Sequence, residues 1–347
     1  MKNTETDLIR ARLIVEHMRS DPELIARMEQ SDAVSQHEGQ VAHGWVHALD
    51  VSNLTLHVAH EANRLIPDTF SEYDLLVAEA SALLHDSGRS VAVKDHEKHG
   101  AKIAHEYLRE VAKKLFGSEN DCPKSFRVRV VQNVCTHRSN SWLYATEADK
   151  AQRRRELSDP AMSALLLGDK LCGSESRVPD DKLALLKKLT AIGLPRGFRR
   201  KHKLARNWTP ARINWNHRVL ADSPAEAALV DELREILKRR GLTIPDIHID
   251  AHDRVNGAIK ERVIEMFLDT EPAAGPFKGT FVYHMKVDER IAPQDLLLYM
   301  DWWGDAFHTS AKAAKHLGFR FQIDFNGHIL RWDRQNKKWV SSKSFPA

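Results

Sequence analysis

The apolar residues of this chain change period once along its 347 residues. Across the first 190 they recur at helical spacing, and beyond about Pro245 they alternate. Such a switch puts an all-α half ahead of an α+β half. Helices are expected over Asp7 to Met18, Val41 to Leu65, Tyr73 to Leu84, His96 to Leu115, Phe126 to Thr136 and Pro160 to Leu171. Asp95 stands where it would cap the helix that opens at His96, and Asp159 is a cap followed by proline at the first helical position. Gly88, Gly117-Ser118 and Pro123 punctuate the loops.

After Val178-Pro179 the pattern loosens. Asp181 to Leu189 and Ala225 to Arg240 read as helix, with an irregular basic stretch between them. Ile247, Ile249, Val255, Ile259 and Val263 suggest strands, as does Gly279 to Val287, and a helix is expected from Pro293 to Leu317, ending at Gly318. Phe319, Phe321, Ile323 and Phe325 alternate into Asn326-Gly327, and His328, Leu330 and Trp332 alternate back, which is a hairpin with a type I′ turn. The expected organisation is an N-terminal helical extension (1–40), a helical domain (41–190), a basic linker and helix (191–245) and a smaller α+β module with an antiparallel sheet (246–347).

Composition narrows the setting. With 42% apolar and 29% charged residues, the chain has the makeup of a soluble globular protein, and no apolar run approaches the ~20 residues of a membrane span. The amino terminus lacks the apolar core of a signal peptide, and three separated cysteines, Cys122, Cys135 and Cys172, suggest neither a zinc cluster nor a disulfide framework, so a cytoplasmic location is expected. A net charge of +4 is too mild to imply a nucleic-acid partner by itself. Between Leu183 and Ala221, however, there are ten Lys or Arg and no acidic residue. A solvated basic surface is the plainer reading of residues 187–218, and nucleic-acid contact the sharper but less favoured one. No membrane partner is expected, and a homo-oligomer is left open.

The chemistry concentrates around histidine, of which there are 19, ten of them between residues 37 and 137. Leu83-Leu84-His85-Asp86-Ser87-Gly88-Arg89 sets a His-Asp pair where an apolar helix ends. Further ligand types follow at helix-sized intervals: His47, then His96 and His99 opening the next helix, His137 closing another, and Asp169 within Leu166-Leu167-Gly168-Asp169-Lys170-Leu171. Antiparallel helices that each contribute one inward ligand can converge on a metal in a bundle core. Each residue also has a plainer reading: a hydrogen-bonded core histidine, or a helix-terminal aspartate paired with Lys or Arg. His43, four residues before His47, is either a support for the ligands or an alternative first ligand.

The ordered set resembles the HD-domain metal-dependent phosphohydrolases over about residues 40 to 180. That resemblance implies a mainly α, HD-type bundle with His47, His85, Asp86 and Asp169 as metal ligands. The two-metal subset adds His96, which precedes Gly100-Ala101, and His137. His99, one turn beyond His96, is an alternative ligand or a substrate contact. The implied activity is cleavage of a phosphate ester or anhydride, such as a phosphodiester, of a nucleotide or nucleotide-derived signal.

Donor chemistry agrees. Mixed imidazole and carboxylate ligands suit one or two ions of Mn, Fe, Co, Ni or Zn, whereas Mg and Ca prefer oxygen. Two ions ~3.5–4 Å apart can share and activate a hydroxide and clamp the oxygens of a phosphate ester. Asp86 is the natural bridge, Arg89 offers a fork of donors to a phosphate oxygen, and Lys170 is a second candidate cation. Two other readings use the same residues: a di-iron oxygenase of HD type, and a binding or sensory module whose metal is structural.

Overall fold

The computed structural model describes residues 4–37, 42–138, 159–172, 180–204, 209–210, 224–242, 263–273, 275–287, 306–333 and 338–341. The described part is mostly helical, with one five-stranded sheet towards the C-terminus. The chain divides into two compact units, Met1–Val34 with His43–Ser174 and Arg262–Ala347, and Ser35–Ala42 with Glu175–Glu261.

In the larger unit, α1 (Glu5–Met18) opens on a capping box between Thr4 and Asp7. A second helix, α2 (Pro22–His37), begins with proline in its first turn, and Asp21 accepts the Glu23 N–H at 3.1 Å. Helix α3 (Trp45–Leu65) begins later than the expected Val41, because Gly44 is its N-cap. Carboxylates of α2 satisfy the amides at this end: Glu29 accepts from Trp45 N at 3.2 Å, and Asp32 from His43 N at 2.8 Å. Helix α4 (Glu72–Leu84) has a second capping box, between Ser71 and Asp74. A 3-10 turn, Ser87–Ser90, leads to α5 (His96–Phe116), and α6 (Lys124–Thr136) and α7 (Pro160–Leu171) follow.

The caps around α5 and α7 behave differently. Asp159 accepts from Ala161 N at 3.0 Å, as its place before Pro160 predicts. Asp95 does not cap α5. Its backbone is left-handed, at φ 56°, and its carboxylate pairs with Lys98 at 3.2 Å instead.

The smaller unit contains α8 (Asp180–Ala191), α9 (Arg196–Lys201) and α10 (Pro224–Arg239), packed through Leu185, Leu189, Phe198, Leu233 and Leu237. Glu232 accepts from both Lys201 and His202 at 2.8 Å, so α10 partly neutralises the basic stretch, while Arg196, Arg200 and Lys203 remain exposed. The rest of that stretch, 205–208 and 211–218, lies outside the described residues.

The sheet runs in the order β1 (Val263–Glu271), β2 (Gly279–Val287), β3 (Phe319–Phe325), β4 (His328–Asp333), β5 (Lys338–Ser341). The hairpin at Asn326-Gly327 is present, and φ values of 48° and 85° at those residues are the left-handed pair a type I′ turn requires. The sheet is mixed rather than antiparallel: β2 pairs with β3 in parallel, Phe281 opposite Phe321. The reason is the helix over 306–316, α11, which lies in the connection between those strands and lets β3 re-enter in the direction of β2. Strands expected at Ile247 to Ile259, and the helix from Pro293 to residue 305, fall outside the described residues.

Two apolar cores build the larger unit. One joins α1, α4, α5 and α6 through side chains such as Ile14, Leu83, Leu108, Phe126 and Val130. In the other, the inward face of the sheet (Phe281, Tyr283, Phe319, Phe325) meets α11, α3 and α7. A fully buried side chain of this size contributes ~1.5–3 kcal/mol. The sheet thus shares its core with the helices that carry His47 and Asp169.

Candidate metal centre

Each candidate ligand sits at or near a helix end. His85 and His137 are the C-cap residues of α4 and α6, His96 is the first residue of α5, and His47 lies in the first turn of α3. Asp169 is in the last turn of α7, and Asp86 precedes the 3-10 turn. The ligands thus converge where several helix ends meet.

Two close approaches bring the ends together. A Cβ on Gly88 would lie 1.9 Å from His96 O, so glycine is what lets the turn after Asp86 rest against α5. A Cβ on Gly168 would lie 2.1 Å from Thr55 Oγ1, so its absence sets α7, with Asp169, directly on α3.

The result is two groups of three ligand types, His47 with His85 and Asp169, and Asp86 with His96 and His137; each could hold a metal ion. None of the six is more than 9% exposed. Asp86 faces both ways. Its Oδ2 lies 3.1 Å from His85 Nε2 and 3.9 Å from His47 Nε2, and its Oδ1 lies 3.3 Å from His96 Nε2 and 3.7 Å from His137 Nε2.

Three of the histidines share one orienting device. Their Nδ1 atoms donate to the carbonyl three residues earlier: His85 to Ala82 at 2.8 Å, His96 to Val93 at 2.9 Å, His137 to Val134 at 2.7 Å. A carbonyl only accepts, so Nδ1 carries a proton, and in the neutral ring Nε2 keeps its lone pair. His47 Nδ1 instead faces Cys172 Sγ at 3.9 Å.

This tautomer leaves the Nε2 atoms of His96 and His137 facing one another at 3.2 Å. Two lone pairs so placed repel unless a cation lies between them, and the gap is about that of two nitrogens each ~2.1 Å from a shared ion. His85 Nε2 is buried and makes no hydrogen bond. Both observations fit a metal.

Electrostatics keep the two carboxylates ionised and His137 neutral, the forms that bind a metal. His85, lowered by burial but raised more by Asp86 and Asp169, holds a proton that a metal would have to displace. Burial pushes the Asp86 carboxyl up, but Arg89, His85 and His43 outweigh it and hold it well below the ordinary carboxylate range. At Asp169, burial is likewise outweighed by Lys170, His85 and His137. Burial pushes His137 down to about 4, against the attraction of Asp86 for its charged form, so it is neutral at pH 7.

The expected cations touch the ligands themselves. Arg89 Nε donates to Asp86 Oδ1 at 2.7 Å, and Lys170 Nζ pairs with Asp169 Oδ2. His99 belongs to neither group and is half-buried one turn along α5. His43 does not share a face of α3 with His47, because it precedes the Gly44 cap. Its Nε2 nonetheless lies 3.8 Å from Asp86 Oδ2, and its ring is 5.5 Å from that of His47. The i, i+4 spacing signalled His43, whereas nothing in the sequence pointed to Cys172 as the neighbour of His47.

Comparison with protein-family models, with characterised proteins and with solved structures gives no match to any of them.

Proposed function

We propose that this chain is an HD-type metal-dependent phosphohydrolase that cleaves a phosphate ester or anhydride, with a nucleotide or nucleotide-derived signal as substrate. The observation that carries the reading is Asp86, a buried carboxylate with one oxygen towards each pair of histidines, as a bridge between two ions requires. His47, His85 and Asp169 would hold one ion and Asp86, His96 and His137 the other. Bound there, such ions supply Lewis acidity towards water and a phosphate oxygen.

The protein's own groups favour an anionic substrate. Asp86 and Asp169 are already paired with Arg89 and Lys170, so a filled centre carries excess positive charge and draws in an anion. Arg89 and Lys170 hold the two carboxylates in place and are the side-chain cations proposed to offset charge on the phosphate oxygens. To His43, beside Asp86 but outside both groups, we assign the role of proton donor to the leaving oxygen. The near-complete burial of the six ligands keeps bulk water from competing.

Metal analysis of the aerobically purified chain, paired with a screen of phosphomonoesters, cyclic dinucleotides and nucleoside triphosphates, tests the reading. Metal-dependent release of phosphate or of a nucleoside monophosphate, lost in Asp86→Ala, is the expected result. A coloured, iron-loaded protein inert towards every phosphoester but consuming O₂ would overturn it in favour of a di-iron oxygenase.

A further inference from the structure

The two ligand groups differ in what supports them. His47 and Asp169 are carried by α3 and α7, which, apart from Ala48 and Ala161, place their buried apolar side chains in the core shared with the sheet. His96 and His137 are carried by α5 and α6, which pack in the other core with α1 and α4. We propose that the C-terminal sheet is the positioning element for His47 and Asp169, two of the three donors of one ion site, and that the Tyr283 hydroxyl is its principal tie. The third donor, His85, is carried by α4 in the other core.

Tyr283 lies on β2, buried, with its hydroxyl donating to Leu171 O at 2.8 Å. Leu171 is the last residue of α7, two beyond Asp169, and its carbonyl has no partner within the helix. The next residue, Cys172, has its N–H on Gly168 O at 3.0 Å and its Sγ against His47 Nδ1. One strand hydroxyl therefore fixes the segment that bears Asp169 and abuts His47. Burial pushes the phenol well above its ordinary value, with Cys172 adding to the effect, so it remains a neutral donor.

A second tie runs along α3. His57 Nε2 donates to Leu268 O on β1 at 2.7 Å, and Arg64 bonds Thr270 Oγ1 at 2.9 Å and Asp269 Oδ1 at 3.1 Å. These hydrogen bonds from the sheet fall on α3 and α7, while α5 and α6 take their packing from the other core. A disturbance of the sheet is thus transmitted to the His47 group and spares the His96 group.

The inference rests on the metal reading, and its test separates the two. The full chain, stripped of metal, is titrated calorimetrically with Mn²⁺ in two backgrounds: His137→Ala, which keeps the His47 group intact, and His47→Ala, which keeps the His96 group intact. Tyr283→Phe removes one hydroxyl and little volume. It should weaken Mn²⁺ binding about three- to ten-fold in the His137→Ala background, the worth of one buried hydrogen bond, and less than about two-fold in the other. The visible spectrum of bound Co²⁺ should change in the first background alone. Tyr73→Phe removes a comparable hydroxyl, bonded to Ser125 at 2.7 Å, from the other core and should leave the His137→Ala background unchanged. Should Tyr283→Phe not fold, His57→Ala, at an exposed position, removes the Leu268 bond of the second tie and must weaken the same group. Equal weakening in both backgrounds, or none in the first, overturns the inference while leaving the metal reading standing. A wild-type chain that takes up no Mn²⁺ or Co²⁺ overturns both.

Discussion

Gly88→Ala is the sharpest probe of how the centre is assembled. Glycine is needed there for space. The added methyl would sit 1.9 Å from His96 O and 2.3 Å from Gly100 N. Both are backbone atoms of α5 and cannot rotate aside as a side chain would. Heavy atoms in protein interiors do not pack that closely, so the turn after Asp86 and the start of α5 must separate by about 1 Å. Overpacking of this kind costs about 3 kcal/mol, which for a unit of this size lowers Tm by roughly 6–12 °C. The same movement would disturb the proposed metal site. His96 Nε2 is 3.3 Å from Asp86 Oδ1, and ligand positions tolerate only about 0.2 Å of error, so the Asp86, His96, His137 group should lose its ion. Thermal melting of the metal-free protein and metal content by mass spectrometry read the two effects. Gly197→Ala, in α9 with nothing within 4 Å, is the control and should change neither. A Gly88→Ala chain that melts within about 2 °C of wild type and retains its full metal content would refute the close-approach reasoning.

Two further outcomes follow from the same geometry. His96→Ala should lose one ion and His99→Ala none, as judged by bound-metal stoichiometry, because only His96 reaches Asp86; equal loss in both would mean that α5 is wrongly registered. In the metal-free protein, stability should peak near pH 6.5. His137 is held down at about 4, so the unfolded chain binds more protons between pH 4 and about 6.5, and its contribution, full above that window, is lost as pH falls through it. His85 has the opposite sign. Burial lowers it, but Asp86 and Asp169 together raise it above its ordinary value, so its contribution is full below about 6.5 and lost as pH rises. Urea unfolding across pH 4.5 to 8.5 would show the maximum, and a flat profile would sink the assignment.

Much of the centre was legible from spacing because helix periodicity is local. The boundaries of α4, α5, α6 and α7 come within about two residues of those expected from apolar pattern and caps. Once each helix end is known, the polar residue standing at it can be named, as for His85, Asp86 and His137, while the ordered pattern that resembles HD-domain proteins adds His47 and Asp169. His96 against His99 could not be decided that way. They lie three residues apart on nearly the same face of α5, and the contact of its first turn with Gly88 determines which one reaches Asp86. The Asp95 cap failed for a related reason: a left-handed backbone turns the side chain towards Lys98, and sequence does not reveal φ.

The sequence by itself determined the helices, the hairpin at Asn326-Gly327 and the ordered donors, because each depends on residues within a few positions of one another. Tertiary structure alone decided which donors meet, that Asp86 faces two groups of histidines, and that β2 and β3 run parallel. It also decided that a tyrosine more than a hundred residues from Asp169 holds the end of its helix. These are encounters between distant segments, fixed by which faces can be buried against one another, and the period of a helix or strand carries no record of its partner.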